Sequence, residues 1–231
     1  MISRSSVRVA KRQDKIRMKL ALLLCIATFI SLGQSCIRPT PGPPGPPGPP
    51  RPPTSCQCGV SKAKKNNNRI IGGKDTARGE FPWQVALVFK GTFKPFCGGT
   101  LLSSDTVLTA AHCEQPMSEF DVVVAEHNWR VKDGEQKILD LGQWINHPDY
   151  GRANPYDNDF AIIKLATPVS FSDYVVPACL PSAFSNYDDV SAQVSGWGRI
   201  DNSNDNLPDV LQKVCEGPAS NYFSICFIID K

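Results

Sequence analysis

The sequence predicts an all-β fold, and three observations carry that expectation. From Phe81 onward the apolar residues fall in short runs that suit strands better than helices. Clusters of Gly, Pro, Asn and Asp separate the runs, and neither an internal repeat nor a long amphipathic helix interrupts them. Gln84–Lys90 (QVALVFK) and Thr106–Ala111 (TVLTAA) are rich in Val, Leu and Thr, and Phe120–Glu126 (FDVVVAE) sets three valines in a row. Gln136–Leu141 (QKILDL), Phe160–Ala166 (FAIIKLA) and Ala192–Trp197 (AQVSGW) complete the series. Many short strands at close spacing predict a barrel or a sandwich.

The residues before this region have a different character. Residues 1–69 hold 13 Lys and Arg and one acid, Asp14, whereas the remainder holds 12 basic and 21 acidic residues. The overall charge of +3 therefore joins a basic arm to an acidic body. A nucleic-acid binder would spread positive charge over its folded surface, so this partner class is excluded.

Leu20–Leu32 is an apolar run of 13 residues, preceded by Arg12, Lys15, Arg17 and Lys19 and ending among the small residues Ser31, Gly33 and Ser35. That layout predicts a secretory signal peptide over 1–33 with a basic n-region; a signal anchor is the alternative, although a spanning helix takes about 20 apolar residues. Secretion gives the cysteines a disulfide use, and removal of Cys25 with the signal leaves eight of the nine. Cys56 and Cys58 lack the further ligands that a zinc site needs.

Residues 34–69 read as a propeptide. Within it, Gly42, Gly45 and Gly48 stand three apart among prolines, a collagen-like period that is short enough to act as a stiff polyproline II spacer of roughly 50 Å. Trimerisation through it is the alternative. The polar stretch CGVSKAKKNNNR then reads as an exposed, cleavable loop.

A nucleophilic hydrolase needs a nucleophile, a base and a group that orients the base. With only three histidines, His112, His127 and His147, candidates for the base are few. His112 lies in LTAAHC, and six further motifs accompany it in order: RIIGG, FPWQVAL, CGGTLLSS, DNDFAIIKL, ACLP and VSGWG. On these motifs the chain from Ile70 to Val214 resembles the secreted trypsin-like serine proteases of the chymotrypsin fold, peptidase family S1.

The resemblance implies a chymotrypsin-like double β-barrel, with the first barrel complete and the second incomplete. It makes His112 the general base and Asp159 the carboxylate that orients it, Asp157 being left to solvent. It implies activation cleavage between Arg69 and Ile70, freeing an ammonium at Ile70. It also implies disulfides Cys97 to Cys113 and Cys58 to Cys179, the second keeping the propeptide attached after cleavage; Cys36 and Cys56 would close around the proline run. The loop Glu126–Glu135 is similar to the family's calcium loop through Glu126, Asp133 and Glu135, oxygen ligands that suit calcium, but it is one residue short. No other cofactor is implied.

The family's GDSGGP motif, which carries the nucleophile, does not occur in this sequence. Similarity ends at Val214, and residues 215–231 form a divergent tail in which Ser220 and Ser224 lack glycine-rich neighbours. The expectation is a partial protease domain over 70–214, truncated before the nucleophile, oxyanion hole and specificity pocket, and therefore inactive as it stands. A full-length form would act on proteins or peptides after activation by a trypsin-like protease, outside the cell and free of the membrane once its signal is removed. A non-catalytic binding or decoy module is the alternative. The strands of the incomplete barrel, near Ala192–Gly198 and Val210–Val214, are expected to leave edges unpaired and apolar faces uncovered.

Overall fold

The computed structural model describes residues 57–63, 74–132, 134–181, 191–199 and 206–218. The signal and propeptide through residue 56, the cleavage point Arg69 and Ile70, Asp133 and the tail from residue 219 lie outside the described residues. The described strands are β1 (Lys74–Asp75), β2 (Gln84–Phe89), β3 (Pro95–Ser103), β4 (Thr106–Thr109), β5 (Phe120–Val124), β6 (Lys137–Leu139), β7 (Leu141–Asn146), β8 (Ala161–Leu165), β9 (Ser191–Gly196) and β10 (Gln212–Pro218). A 3₁₀ turn at Ala111–Cys113 accompanies them. Among the described residues no helix is long and apolar enough to cross a membrane.

Seven strands make one antiparallel sheet in the order β6-β5-β2-β3-β4-β8-β7. The two ends of that order, β6 and β7, are consecutive in the chain with only Asp140 between them. The sheet therefore curls on itself, and its two end strands run into each other as one bent stretch, residues 137–146. The bend needs Gly142. The register between β7 and β8 shifts there, and a Cβ on Gly142 would meet Lys164 O at 3.0 Å and Ala166 N at 3.1 Å.

Alternation assigns the faces of β2 and β5. Val85, Leu87, Val122 and Val124 point into the barrel, where they pack with Leu101, Val107, Phe120 and Ile163. Ala86, Val88 and Val123 point outward, yet they are fully buried as well, against Trp197 and Leu211. Burial on both faces explains why QVALVF and FDVVV read as unbroken apolar runs.

The outer cover comes from the second sheet, of order β1-β10-β9. Leu211 lies just before β10 and is tied from both sides: Thr76 N–H donates to its carbonyl at 2.8 Å, and its own N–H donates to His127 O at 2.8 Å. Trp129 Nε1 donates to Pro208 O at 2.9 Å. From β10, Lys213 Nζ reaches Glu80 Oε1 at 2.5 Å with both side chains nearly buried, and Glu80 Oε2 accepts the Ala77 N–H. The expectation of uncovered apolar faces is thus corrected at Trp197 and Leu211, because the barrel itself presents the apolar surface that receives them. The edges agree with expectation only at β9, which has no strand on its outer side among the described residues; β10, also expected to be open, is paired on both sides because β1 supplies a partner for it.

Two further departures concern the elements. TVLTAA stops being a strand at Thr109 and turns into the 3₁₀ segment. The long strand β3 contains two glycines and was not among the expected runs; Gly99 is required where β3 crosses β4, since a Cβ there would meet Leu108 O at 2.9 Å.

Candidate active site

Antiparallel pairing of β4 with β8 places Thr109 opposite Ala161. The chain leaving β4 and the chain entering β8 therefore lie at the same end of the barrel, which brings His112, three residues beyond Thr109, close to Asp159, two residues before Ala161. The exit from β4 is anchored. Thr109 Oγ1 donates to Gly98 O at 2.7 Å, and Cys113 is joined to Cys97 of β3 by a disulfide. Ala111 and Cys113 are buried, and at three residues per turn the 3₁₀ segment points the intervening His112 elsewhere, toward solvent.

Asp159 holds His112 at two points. Its Oδ1 accepts the His112 backbone N–H at 2.8 Å, and its Oδ2 lies 2.5 Å from His112 Nδ1. A carboxylate only accepts, so Nδ1 carries the proton and donates. Asp159 is the more buried partner, with 19% of its side chain exposed against 33% for His112. Nε2 is thereby left as the nitrogen available to take a proton, and it lies 3.6 Å from Cys113 Sγ. Asp157 does not share this position: it is half-buried, and its carbonyl accepts the Gly151 N–H at 2.9 Å.

Aromatic residues flank the pair. The Tyr156 ring stands edge-on to the imidazole at 6.2 Å, with the tyrosine 72% exposed. Burial pushes the Tyr150 phenol upward, assisted by the nearby charges of Asp159 and Glu114. Sequence reasoning singled out neither tyrosine. Their one available signal was position, three and nine residues before Asp159 in the loop that delivers it.

Cys97, His112 and Cys113 are the one trio of possible metal ligands drawn together among the described residues. The two sulfurs are bonded to each other, so neither is the thiolate that a metal would take. In the loop similar to a calcium site, the described residues supply two of the three carboxylates. Glu126 is buried, and its Oε1 accepts from His127 N–H at 3.0 Å and Gln136 Nε2 at 3.3 Å; Glu135 is exposed. Both of these bonds fall on Oε1 of Glu126, and the third expected ligand, Asp133, lies outside the described residues; a calcium ion takes six to eight oxygens.

Cys58 is disulfide-bonded to Cys179. The segment around it lies against the barrel: Gly59 N–H donates to Pro177 O at 2.8 Å, Ser61 Oγ donates to Gly79 O at 3.1 Å, and Lys62 pairs with Asp173. Both disulfides suit an oxidising compartment.

Comparison with known proteins agrees with this geometry. The family model described as Trypsin matches residues 70–217. Similar curated proteins include coagulation factor IX of Cavia porcellus, 36% identical over 138 residues that cover 57% of this chain and 47% of that protein. Trypsin of Xenopus laevis is 36% identical over 154 residues, 67% of this chain and 60% of that protein. Serine proteinase stubble of Drosophila melanogaster is 34% identical over 174 residues, 71% of this chain and 22% of that protein. The matched region thus spans less than two thirds of each relative. With a curled barrel, a second sheet packed on it and a His–Asp pair at the barrel end, the chain belongs to the trypsin family of serine proteases.

Proposed function

We propose that residues 70–214 supply the base-and-acid half of a serine endopeptidase site, with His112 as general base and Asp159 as its orienting carboxylate. The observation that carries this is the two-point hold of Asp159 on His112, at Nδ1 and at the backbone N–H. It fixes the tautomer that leaves Nε2 able to accept a proton from a hydroxyl nucleophile, and the carboxylate then stabilises the imidazolium, as in the worked triad of this enzyme class. The imidazole stays aimed because Cys113 and Ala111 are buried on either side of it.

The 231 residues contain no GDSGGP motif, so this chain by itself has no nucleophile and no donors for an oxyanion, and does not turn over peptides. In an enzyme of this design, a zymogen would be cut between Arg69 and Ile70 by a trypsin-like protease, and Cys58–Cys179 would retain the propeptide. Secretion follows from the signal-like segment 1–33 and the disulfides, and substrates are proteins or peptides. The test is incubation of the purified chain, before and after limited trypsin cleavage, with a trypsin peptide substrate. No turnover is expected, together with two fragments that separate only under reducing conditions. Turnover abolished by His112→Ala would overturn the inactivity, and fragments that part without reductant would overturn the retained propeptide.

A non-catalytic binding module is the second reading, and one observation favours it. Trp197 and Leu211 are buried on the barrel, so the second sheet is not left with its apolar side in water. Cooperative unfolding of a soluble monomer would support this reading, and an aggregated or molten species would remove it.

A further inference from the structure

His147 is the buried titratable group for which the base-and-acid pair has no use; it is 7% exposed. It stands directly after β7, at the base of the loop 147–160 that delivers Asp159. Its N–H donates to Phe160 O at 2.8 Å, and its carbonyl accepts the Tyr150 N–H at 3.0 Å, which closes the loop. The ring makes a third bond. Asp149 N–H donates to His147 Nδ1 at 3.0 Å, so Nδ1 bears no proton and the imidazole is the neutral Nε2–H tautomer.

The contacts continue from there to the site. The Asp149 carbonyl accepts from Asn158 Nδ2 at 3.2 Å. Asn158 itself has φ of 51°, the left-handed region that asparagine tolerates best among residues with a side chain. Its carbonyl accepts the Phe160 N–H at 2.7 Å. Asp159 is the residue held between them, so the turn at Asn158 sets the direction in which its carboxylate leaves the loop. Other ties within the loop are exposed, such as the Arg152–Asp149 pair, whose side chains are 72% and 46% exposed, and an exposed pair contributes little.

We propose that His147 is a positioning residue for Asp159: its neutral ring, through Asp149 and Asn158, holds the left-handed turn that aims the carboxylate at His112. The proposal rests on the base-and-acid pair described above. Loss of the ring acceptor leaves the Asp149 N–H without its partner at a part-buried loop base, where an unmet donor carries a cost, and the loop relaxes to satisfy it. Asp159 then loses its two-point hold on His112 while the barrel strands stay paired.

The test is proton NMR of the full chain carrying ¹⁵N-labelled histidine, which needs no nucleophile. The Nδ1–H of His112 bonded to Asp159 should give a low-field resonance that disappears in Asp159→Ala. In His147→Ala that resonance should be lost while the amide pattern of β2 and β5 persists. His147→Asn, whose side-chain oxygen can accept the same N–H, should restore it. An unchanged resonance in His147→Ala overturns the proposal, as does failure of His147→Asn to restore it. Should His147→Ala not fold, Asn158→Gly keeps the turn accessible and removes only the tie to Asp149; it should also lose the resonance, and retention overturns the proposal. Absence of the resonance from the unsubstituted chain would instead overturn the base-and-acid pair, and His147 would fall with it.

Discussion

The seven-stranded barrel and the three-stranded sheet solve the same problem in different ways. In the barrel the five strands between β6 and β7 are paired on both sides, and the two end strands, each paired on one side among the described residues, run into each other through Asp140. The smaller sheet has three described strands, and its outer edges at β1 and β9 are unpaired among the described residues. Its order comes from what it rests on. Trp197 and Leu211 fill the outer face of β2 and β5, and Lys213 reaches Glu80 in a nearly buried ion pair. A sheet curled round its own core supports itself, whereas a small open sheet borrows its stability from a neighbour.

Trp197→Ala should separate the two regions most sharply. Removing a fully buried tryptophan costs about 3–5 kcal/mol. The cost should fall on β9 and β10, whose amides lose hydrogen-exchange protection, while β2, β3 and β5 keep theirs. Equal loss in both sheets would show that they unfold as one unit and would erase the contrast.

Glu80→Ala tests the polar attachment. It leaves Lys213 nearly buried without its partner, and breaking such a pair costs about 3 kcal/mol. The penalty should be smaller in Glu80→Gln, which keeps an acceptor for the Ala77 N–H. Chemical denaturation that finds both variants within 0.5 kcal/mol of the parent, roughly the range of ordinary surface substitutions, would show that packing alone holds the second sheet.

Asp105 belongs to the barrel and offers the smallest effect. Burial acts to raise its carboxyl, but hydrogen bonds from Ser103, Lys164 and Thr106, with the charge of Lys164, overcome this and hold it at about 2. The folded value lies below the usual value near 3.9, so the stabilisation is present above about pH 4 and is lost as pH falls toward 2. For a carboxylate that is 34% exposed, solvent screening limits this to about 1 kcal/mol. Asp105→Asn should therefore lower stability at neutral pH and match the parent near pH 2. A pH-independent difference would remove the ionic origin.

Much of the site was legible before any coordinates. With three histidines in the chain, LTAAHC and DNDFAIIKL single out His112 and Asp159, because an acid directly before a strand can reach a neighbouring loop. Tyr156 and His147 were not legible. Neither belongs to a motif, and their positions depend on how the loop 147–160 folds back, which local sequence does not encode. The apolar runs likewise mark β2 and β5 as strands without saying what covers their second face.

By itself the sequence determines the all-β class, the family motifs in their order, the candidate base and acid, and the lack of a GDSGGP segment within these residues. These are local properties, carried by periodicity and by short runs of specific residues. The tertiary structure alone decided the pairing of Lys74 with Lys213, the burial of Trp197 on the barrel's outer face, and the hold of Asp159 on His112 across 47 positions of sequence. Each joins segments far apart in the chain. Such contacts form only after loop-closure entropy has been overcome by burial elsewhere, so they are fixed by the assembled barrel and not by any one stretch of residues.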